Sequence, residues 1–357
     1  MIALALLTAN LAIYGAFAAS GGGLMNADPQ LLIRWGSNFG PYTVDGQWWR
    51  LLSAAFLHGG LVHLAVNMVT LADVGRLCER LFGWRRFLLL YLLSGLAGSA
   101  ASVWWNPQVN SVGASGALFG VLGAVLVFML DRRNGIDPGV MKAHVASMAV
   151  FIGYGVVNGL ASSARIDNAA HLGGLAAGAI LGYALGRPPG SARIEPLRMA
   201  AGIAACAIAI AGLLALTPNT RAGFEAERQF RDALQAFSKE EARLVEALRS
   251  VIARAQAPGA KGGALKPEAL ALAAGWEAER QRFAALPVAP ESKLHVLHQD
   301  MVAYTASRHR AMGELARAFD EREDGRARVR EFNRLMKEGD AIVEKIRQRN
   351  AAPGKAG

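Results

Sequence analysis

The stretch SVGASGALFGVLGAVLVFML, residues 111–130, decides how this chain is read. It is an apolar run with small residues at Gly113, Gly116, Gly120 and Gly123, and one hydroxyl, Ser115, stands where the run begins. A serine in such a run is ordinarily packing material between helices. The other polar groups in the apolar part of the chain decide whether this one is more than that.

The composition sets the frame. Of 357 residues, 53% are hydrophobic, and the apolar excess is uneven. Of the 38 Lys/Arg and 28 Asp/Glu, only 13 and 8 lie in residues 1–216, and the rest crowd into residues 217–357. The break near Thr217-Pro218 is a domain boundary. The net charge of +10 is shared between the halves. In the tail it is mixed with acids, so it is no nucleic-acid stripe; in the first half the bases sit in short loops, as in a membrane protein. The cysteines, Cys78 and Cys206, make neither a disulfide framework nor a metal spacing, and no metal or organic cofactor is expected.

Seven apolar stretches stand out, at about 2–20, 60–78, 86–105, 114–130, 143–162, 168–186 and 199–216. Each approaches the ~20 residues that a helix needs to cross the hydrocarbon core, and only helices satisfy their backbone within such a segment. The first is read as a retained span rather than a signal peptide, because it lacks a basic leading region. Loops after even-numbered spans hold ten Lys/Arg (Arg76, Arg80, Arg85, Arg86, Arg132, Arg133, Lys142, Arg187, Arg193 and Arg198), against Arg34, Arg50 and Arg165 on the other side. The even-span loops are therefore cytoplasmic, and the tail after the seventh span falls outside.

With that orientation the polar residues converge in depth. In FLHGGLVHLAVNM, 56–68, His63 and Asn67 share one helix face near the outer end of the second span, with Gly59-Gly60 as a break before it. Ser115 opens the fourth span, and in DNAAHLGGLAAG, 167–178, His171 lies in the first turn of the sixth. Gly116, Gly120 and Gly123 on one helix, and Gly174 and Gly178 on the other, let two backbones approach closely. If these stripes meet, Ser115 Oγ comes within reach of the His171 imidazole, the geometry a general base needs. The Ser115 N–H at a helix start, the Asn67 amide and a His63 ring nitrogen can then hold an oxyanion, each worth about 3 kcal/mol when preorganised. Asp167 reads as a helix N-cap rather than an orienting acid, so the expectation is a Ser–His dyad. Taken singly, the members have bland readings: GASG as packing, His63 with Asn67 as a polar clamp. His58 reads as an interfacial residue at the water boundary, His144 as a surface residue, and Trp48, Trp49, Leu52 and Phe56 as an interfacial anchor. The joint pattern is what favours chemistry.

These residues resemble the rhomboid intramembrane serine proteases over about residues 41–187. The resemblance is carried by WWRLLSAAFLHGGLVHLAVNM (48–68), GRLCERLFGWRRFLLLYLLSG (75–95), GASG (113–116) and AHLGGLAAG (170–178), in that order and spacing. It implies Ser115 as nucleophile, His171 as base, and His63, Asn67 and the Ser115 N–H, beside Gly113, as the oxyanion site. It implies that Trp49 and Arg50 belong to a long loop lying partly in the outer leaflet. It gives Phe119 the place where the family often has a tyrosine beneath the histidine. The seventh span resembles the six-plus-one arrangement of bacterial members. The implied reaction is cleavage of other membrane proteins in or near a transmembrane segment, with substrate entering laterally past a fifth span loosened by Gly153, Gly155 and Gly159. The implied setting is a multi-pass protein of a bacterial cytoplasmic membrane, with the site near the outer face.

The expected architecture is all-α: first span and start of the outer loop at 1–40, protease core at 41–187, seventh span at 188–218, and an extramembrane helical tail at 219–357. In the tail, Phe230, Leu234, Phe237, Leu244, Leu248 and Val251 recur at heptad-like spacing, and breaks near 257–267 and 287–291 separate further helices. A small bundle or coiled coil is expected there, open to self-association or a protein partner. The expected partners of the core are transmembrane substrates and the bilayer. The reading from another class is a non-proteolytic protein that binds membrane helices on the same scaffold; a transporter using the histidines as proton carriers is a remoter one.

Overall fold

The computed structural model describes residues 1–131, 167–186 and 196–351, with isolated positions 134, 139, 142, 148 and 152. The fifth span, the gate read from its glycines and His144 lie outside the described residues. The chain divides into two units, Met1–Arg221 and Ala222–Gly357. The first is a helical integral membrane protein. Among its described residues there is no named strand, only an isolated antiparallel bridge between Asn38 and Ser111.

The first unit opens with α1, Ile2–Phe17. Three short helices then fold the outer loop: α2, Pro29–Trp35; α3, Gly40–Thr43; and α4, Arg50–Ser53. Next comes α5, Leu61–Thr70, continued through a wide π-helical turn into α6, Arg76–Phe82. The bundle is completed by α7, Trp84–Trp105; α8, Ser115–Leu130; α9, Asn168–Leu185; and α10, Pro196–Leu216. Among the described residues, four helical stretches are long and apolar enough to cross a membrane: Ile2–Gly22, Leu61–Phe82, Trp84–Trp105 and Pro196–Leu216. The apolar helix α8 is shorter, 16 residues, about 24 Å at the usual rise.

The hydrophobicity of α8 on all sides explains its place. Gly116 through Val125 are all buried, so this length of the helix sits inside the bundle. It packs on α7 and α9, while α10 leans on α7 and α9 from outside, burying little beyond Gly202 and Cys206. The α8–α9 contact is backbone against backbone. A Cβ on Gly174 would overlap the carbonyl oxygen of Gly116, and one on Gly178 that of Gly120; Gly182 extends the stripe to Ala124. The sequence had marked the first two of these three and not the third. At the opposite end of the bundle the Glu79 carboxylate accepts from the backbone N–H groups of Ile2 and Ala3, at 2.8 and 3.0 Å, and so caps α1 from α6.

The outer loop is held by polar groups that turn inward. Arg50 is buried; its guanidinium donates to the Ile33 and Ser37 carbonyls at 2.7 and 3.0 Å and to the Gln47 side chain at 2.7 Å. Trp48, Trp49 and Leu52 remain exposed, as expected of an anchor, whereas Phe56 packs against the core. His58 corrects the expectation of a water-boundary residue: only 1% of it is exposed. The chain turns inward at Leu57 to start α5, which carries His58 under the loop and sets its ring edge-on against His63, 5.3 Å between centroids.

Among its described residues the second unit has four α-helices, α11 to α14, at Arg221–Ala255, Lys266–Ala284, His295–Ala318 and Gly325–Ala351; the first residue of α11 belongs to the membrane unit. They share one core in which Phe237, Trp276 and Tyr304 meet edge to face. Burial and the neighbouring Glu241 carboxylate push the Tyr304 hydroxyl up to about 12, so it remains a donor to Glu241 at neutral pH. Beside it the buried Arg308 reaches Asp340 at 2.6 Å.

A side chain in the α8–α9 contact has no room. Gly178→Val should cost about 3 kcal/mol of stability, read as a lower unfolding temperature in detergent. Gly212→Val, on α10 where nothing lies within 4 Å of the added carbon, should leave it unchanged.

Candidate functional site

The helix starts bring the polar residues together. Ser115 is the first residue of α8, and His171 is in the first turn of α9, whose N-cap, Asp167, accepts from the Ala170 N–H at 3.0 Å. Because the two glycine stripes put these helices in direct contact, His171 Nε2 lies 2.9 Å from Ser115 Oγ. The His171 ring stacks on Phe119, one turn along α8 from Ser115, with centroids 4.1 Å apart and planes 5° from parallel. That stack fixes the face of the imidazole. Its Nδ1 is buried and meets no hydrogen-bond partner among the described residues. Asp167 does not reach it: one carboxylate oxygen caps α9 and the other takes the Ser102 hydroxyl.

His63 and Asn67 come from α5. The Gly59 N–H donates to His63 Nδ1 at 3.3 Å, which places the ring proton on Nε2. That nitrogen faces Gly113: a Cβ there would come 2.7 Å from His63 Nε2 and 3.8 Å from the Asn67 amide nitrogen. Asn67 gives one amide hydrogen to the His63 carbonyl at 2.9 Å and keeps a second. Gly113, at φ +118, is thus the open floor on which both donors converge, two residues before Ser115. The Ser115 N–H adds a third donor, since the first N–H groups of a helix lack intrahelical acceptors. The Gly113 N–H is itself held by the Ala54 carbonyl at 2.9 Å, and Asn38 pairs with Ser111, so the outer loop carrying Trp49 and Arg50 braces the segment leading to Ser115.

The structure thus gathers Ser115, His171, His63, Asn67, Gly113 and Phe119 at one site. Gly116, Gly174 and Gly178 lie in the helix contact beneath it, and Trp49 and Arg50 in the loop beside it. Two neighbours had no strong sequence signal. Ser102 is one of three serines in α7, and Gly98 one glycine among many, yet a Cβ on Gly98 would lie 2.6 Å from the Ala170 carbonyl.

Fold and site together define a polytopic helical membrane protein with a serine–histidine pair at the head of its central helices. Residues 45–188 match the family described as the Rhomboid domain. Among its relatives, the Rhomboid protease GluP of Bacillus subtilis is 37% identical over 167 residues, 47% of this chain and 32% of that protein. RHOMBOID-like protein 4 of Arabidopsis thaliana is 45% identical over 139 residues, 38% and 34% of the two chains. The Rhomboid protease AarA of Providencia stuartii is 29% identical over 187 residues, 46% and 66%. The chain spans about a third of the first two relatives and about two thirds of the last; the likeness is to the membrane core.

The floor at Gly113 makes a sharp test. Gly113→Ala puts a methyl against the His63 ring and strains the backbone, so labelling of Ser115 by a fluorophosphonate should slow by about ten-fold or more. Gly15→Ala, where nothing lies within 4 Å, should label at the parent rate.

Proposed function

We propose that this protein is an intramembrane serine endopeptidase that uses a Ser115–His171 dyad to cleave other membrane proteins in or near a transmembrane segment. The observation that carries the reading is the 2.9 Å contact of Ser115 Oγ with His171 Nε2, on a ring stacked over Phe119, opposite two donors that converge at Gly113.

The chemistry follows from those positions. As Oγ attacks the scissile carbonyl carbon, Nε2 takes the hydroxyl proton, and the carbonyl electron pair becomes an oxyanion. The Ser115 N–H, His63 Nε2–H and the second Asn67 amide hydrogen hold that oxygen, with the positive start of α8 beneath it. His171 returns its proton to the leaving amine, then takes one from water, and the acyl ester is hydrolysed. With Asp167 occupied elsewhere, Phe119 does the orienting that an acid does in a triad. The substrate must unwind, because a helix hides its carbonyls in its own hydrogen bonds; segments with small or helix-weakening residues suit it. The shortness of α8 supports a site below the outer surface yet within reach of water.

We place the site toward the outer face of a bacterial cytoplasmic membrane, with the tail on the same side. Support comes from the segment after α10, where Asn219 donates to the Asp45 carboxylate of the outer loop at 3.2 Å and the Arg221 guanidinium lies over the Tyr42 ring. A role for the tail in gathering substrate, or in joining two copies, accords with its separate core.

Purified protein incubated with a single-span substrate should give a discrete product, and Ser115→Ala and His171→Ala should abolish it. Asn67→Ala should lower the turnover number by roughly a hundred- to a thousand-fold. Product that persists in Ser115→Ala would overturn the dyad, and helix binding without cleavage in the parent would favour the non-proteolytic reading.

A reporter fused after residue 351 should be active only outside the cytoplasm; a cytoplasmic signal would overturn the placement of the tail.

A further inference from the structure

The carboxylate of Asp167 has two partners on two helices. One oxygen accepts the Ala170 N–H, and the other accepts the hydroxyl of the buried Ser102, near the end of α7. The Asp167 carbonyl also accepts the His171 N–H at 3.1 Å. One residue therefore ties the first turn of α9, which carries the imidazole, both to itself and to α7.

That turn also packs closely against its neighbours. The Ala170 carbonyl lies against Gly98 of α7 and Gly116 of α8, with no side chain from either between them. Small residues permit close approach but supply no lock against sliding along the helix axis. The His171 ring is gripped on its face by Phe119, and no described residue holds Nδ1. A shift of α9 along its axis would carry Nε2 away from Ser115 Oγ while leaving the stripes in contact.

We infer that Asp167 and Ser102 are positioning residues: together they form a clamp between α7 and α9 that sets the height of His171 against Ser115. The inference rests on the reading of Ser115 and His171 as the reacting pair. It assigns Asp167 a role through position and hydrogen bonding rather than as a third member of a charge-bearing triad, since neither carboxylate oxygen turns to the imidazole. The chemistry required is a side chain at 167 that caps α9 with one atom and pairs with a hydroxyl at 102 through the other.

The test is a series in the full-length protein, read as the rate of Ser115 labelling by a fluorophosphonate and as kcat and KM on a single-span substrate. Ser102→Ala and Asp167→Ala should each lower the labelling rate and kcat by about ten- to a hundred-fold, the scale of a reacting group misplaced by about an ångström. KM should stay within about two-fold. Ser102→Thr, which keeps the hydroxyl, and Asp167→Asn, which keeps a cap and a partner for Ser102, should recover most of the loss. Full labelling in both alanine variants would overturn the clamp, and so would an Asp167→Asn rate as low as that of Asp167→Ala, which would make the charge the cause. Failure of the parent protein to label at Ser115 would instead overturn the underlying reading of the pair.

Discussion

The backbone contact between α8 and α9 is the constraint on which the rest of the membrane unit depends. In lipid there is no hydrophobic gain in bringing two apolar helices together, so dispersion and close fit must supply it. Gly116, Gly120, Gly174, Gly178 and Gly182 let the two chains meet without side chains between them. A contact that close acts at short range and sets the spacing between the two helices. At that spacing side chains on facing turns can touch, as Ser115 and His171 do at 2.9 Å. A wider seam filled by leucines would hold the helices too far apart for a serine, one of the shortest side chains, to reach an imidazole on the neighbouring helix.

The polar groups buried around that contact divide into those that satisfy one another and those left open. Arg50 is surrounded by carbonyls, Glu79 caps α1, and Asp167 caps α9 while accepting from Ser102. A buried polar group without partners is costly, and these have them. At the site the pattern reverses. His63 Nε2 and one Asn67 hydrogen point to the space over Gly113, where a reacting carbonyl would bring the missing acceptor. Donors aimed at an open floor suit a reaction in which negative charge develops.

Much of this was legible in the residues because membrane helices carry strong signals. Apolar length marked the four described helices long enough to span, and a spacing of four placed His63 with Asn67 and Gly174 with Gly178 on shared faces. What escaped was decided by tertiary contacts. His58 has a polar side chain beside two glycines, which reads as a boundary residue; only the inward turn at Leu57 shows that it is buried. Ser102 is one of three serines in α7 with nothing in the sequence to single it out, and its partner Asp167 lies 65 residues away. The inward guanidinium of Arg50 was equally hidden, since a basic residue in a loop reads as solvated.

Chemistry at the starts of helices carries a cost of its own. The three side chains that frame the site are the third residue of α5, the first of α8 and the fourth of α9. Those first turns offer unpaired N–H groups and the positive end of the helix dipole, both suited to an oxyanion. They are also where helices fray, because the backbone ladder has not yet closed. Each start is accordingly braced from outside its own helix: α5 through the Leu24 carbonyl that accepts the Leu61 N–H, the approach to α8 through Ala54, and α9 through Ser102. Two of these braces come from the segment between α1 and α5. The long outer loop therefore braces the helix starts that carry His63 and Ser115.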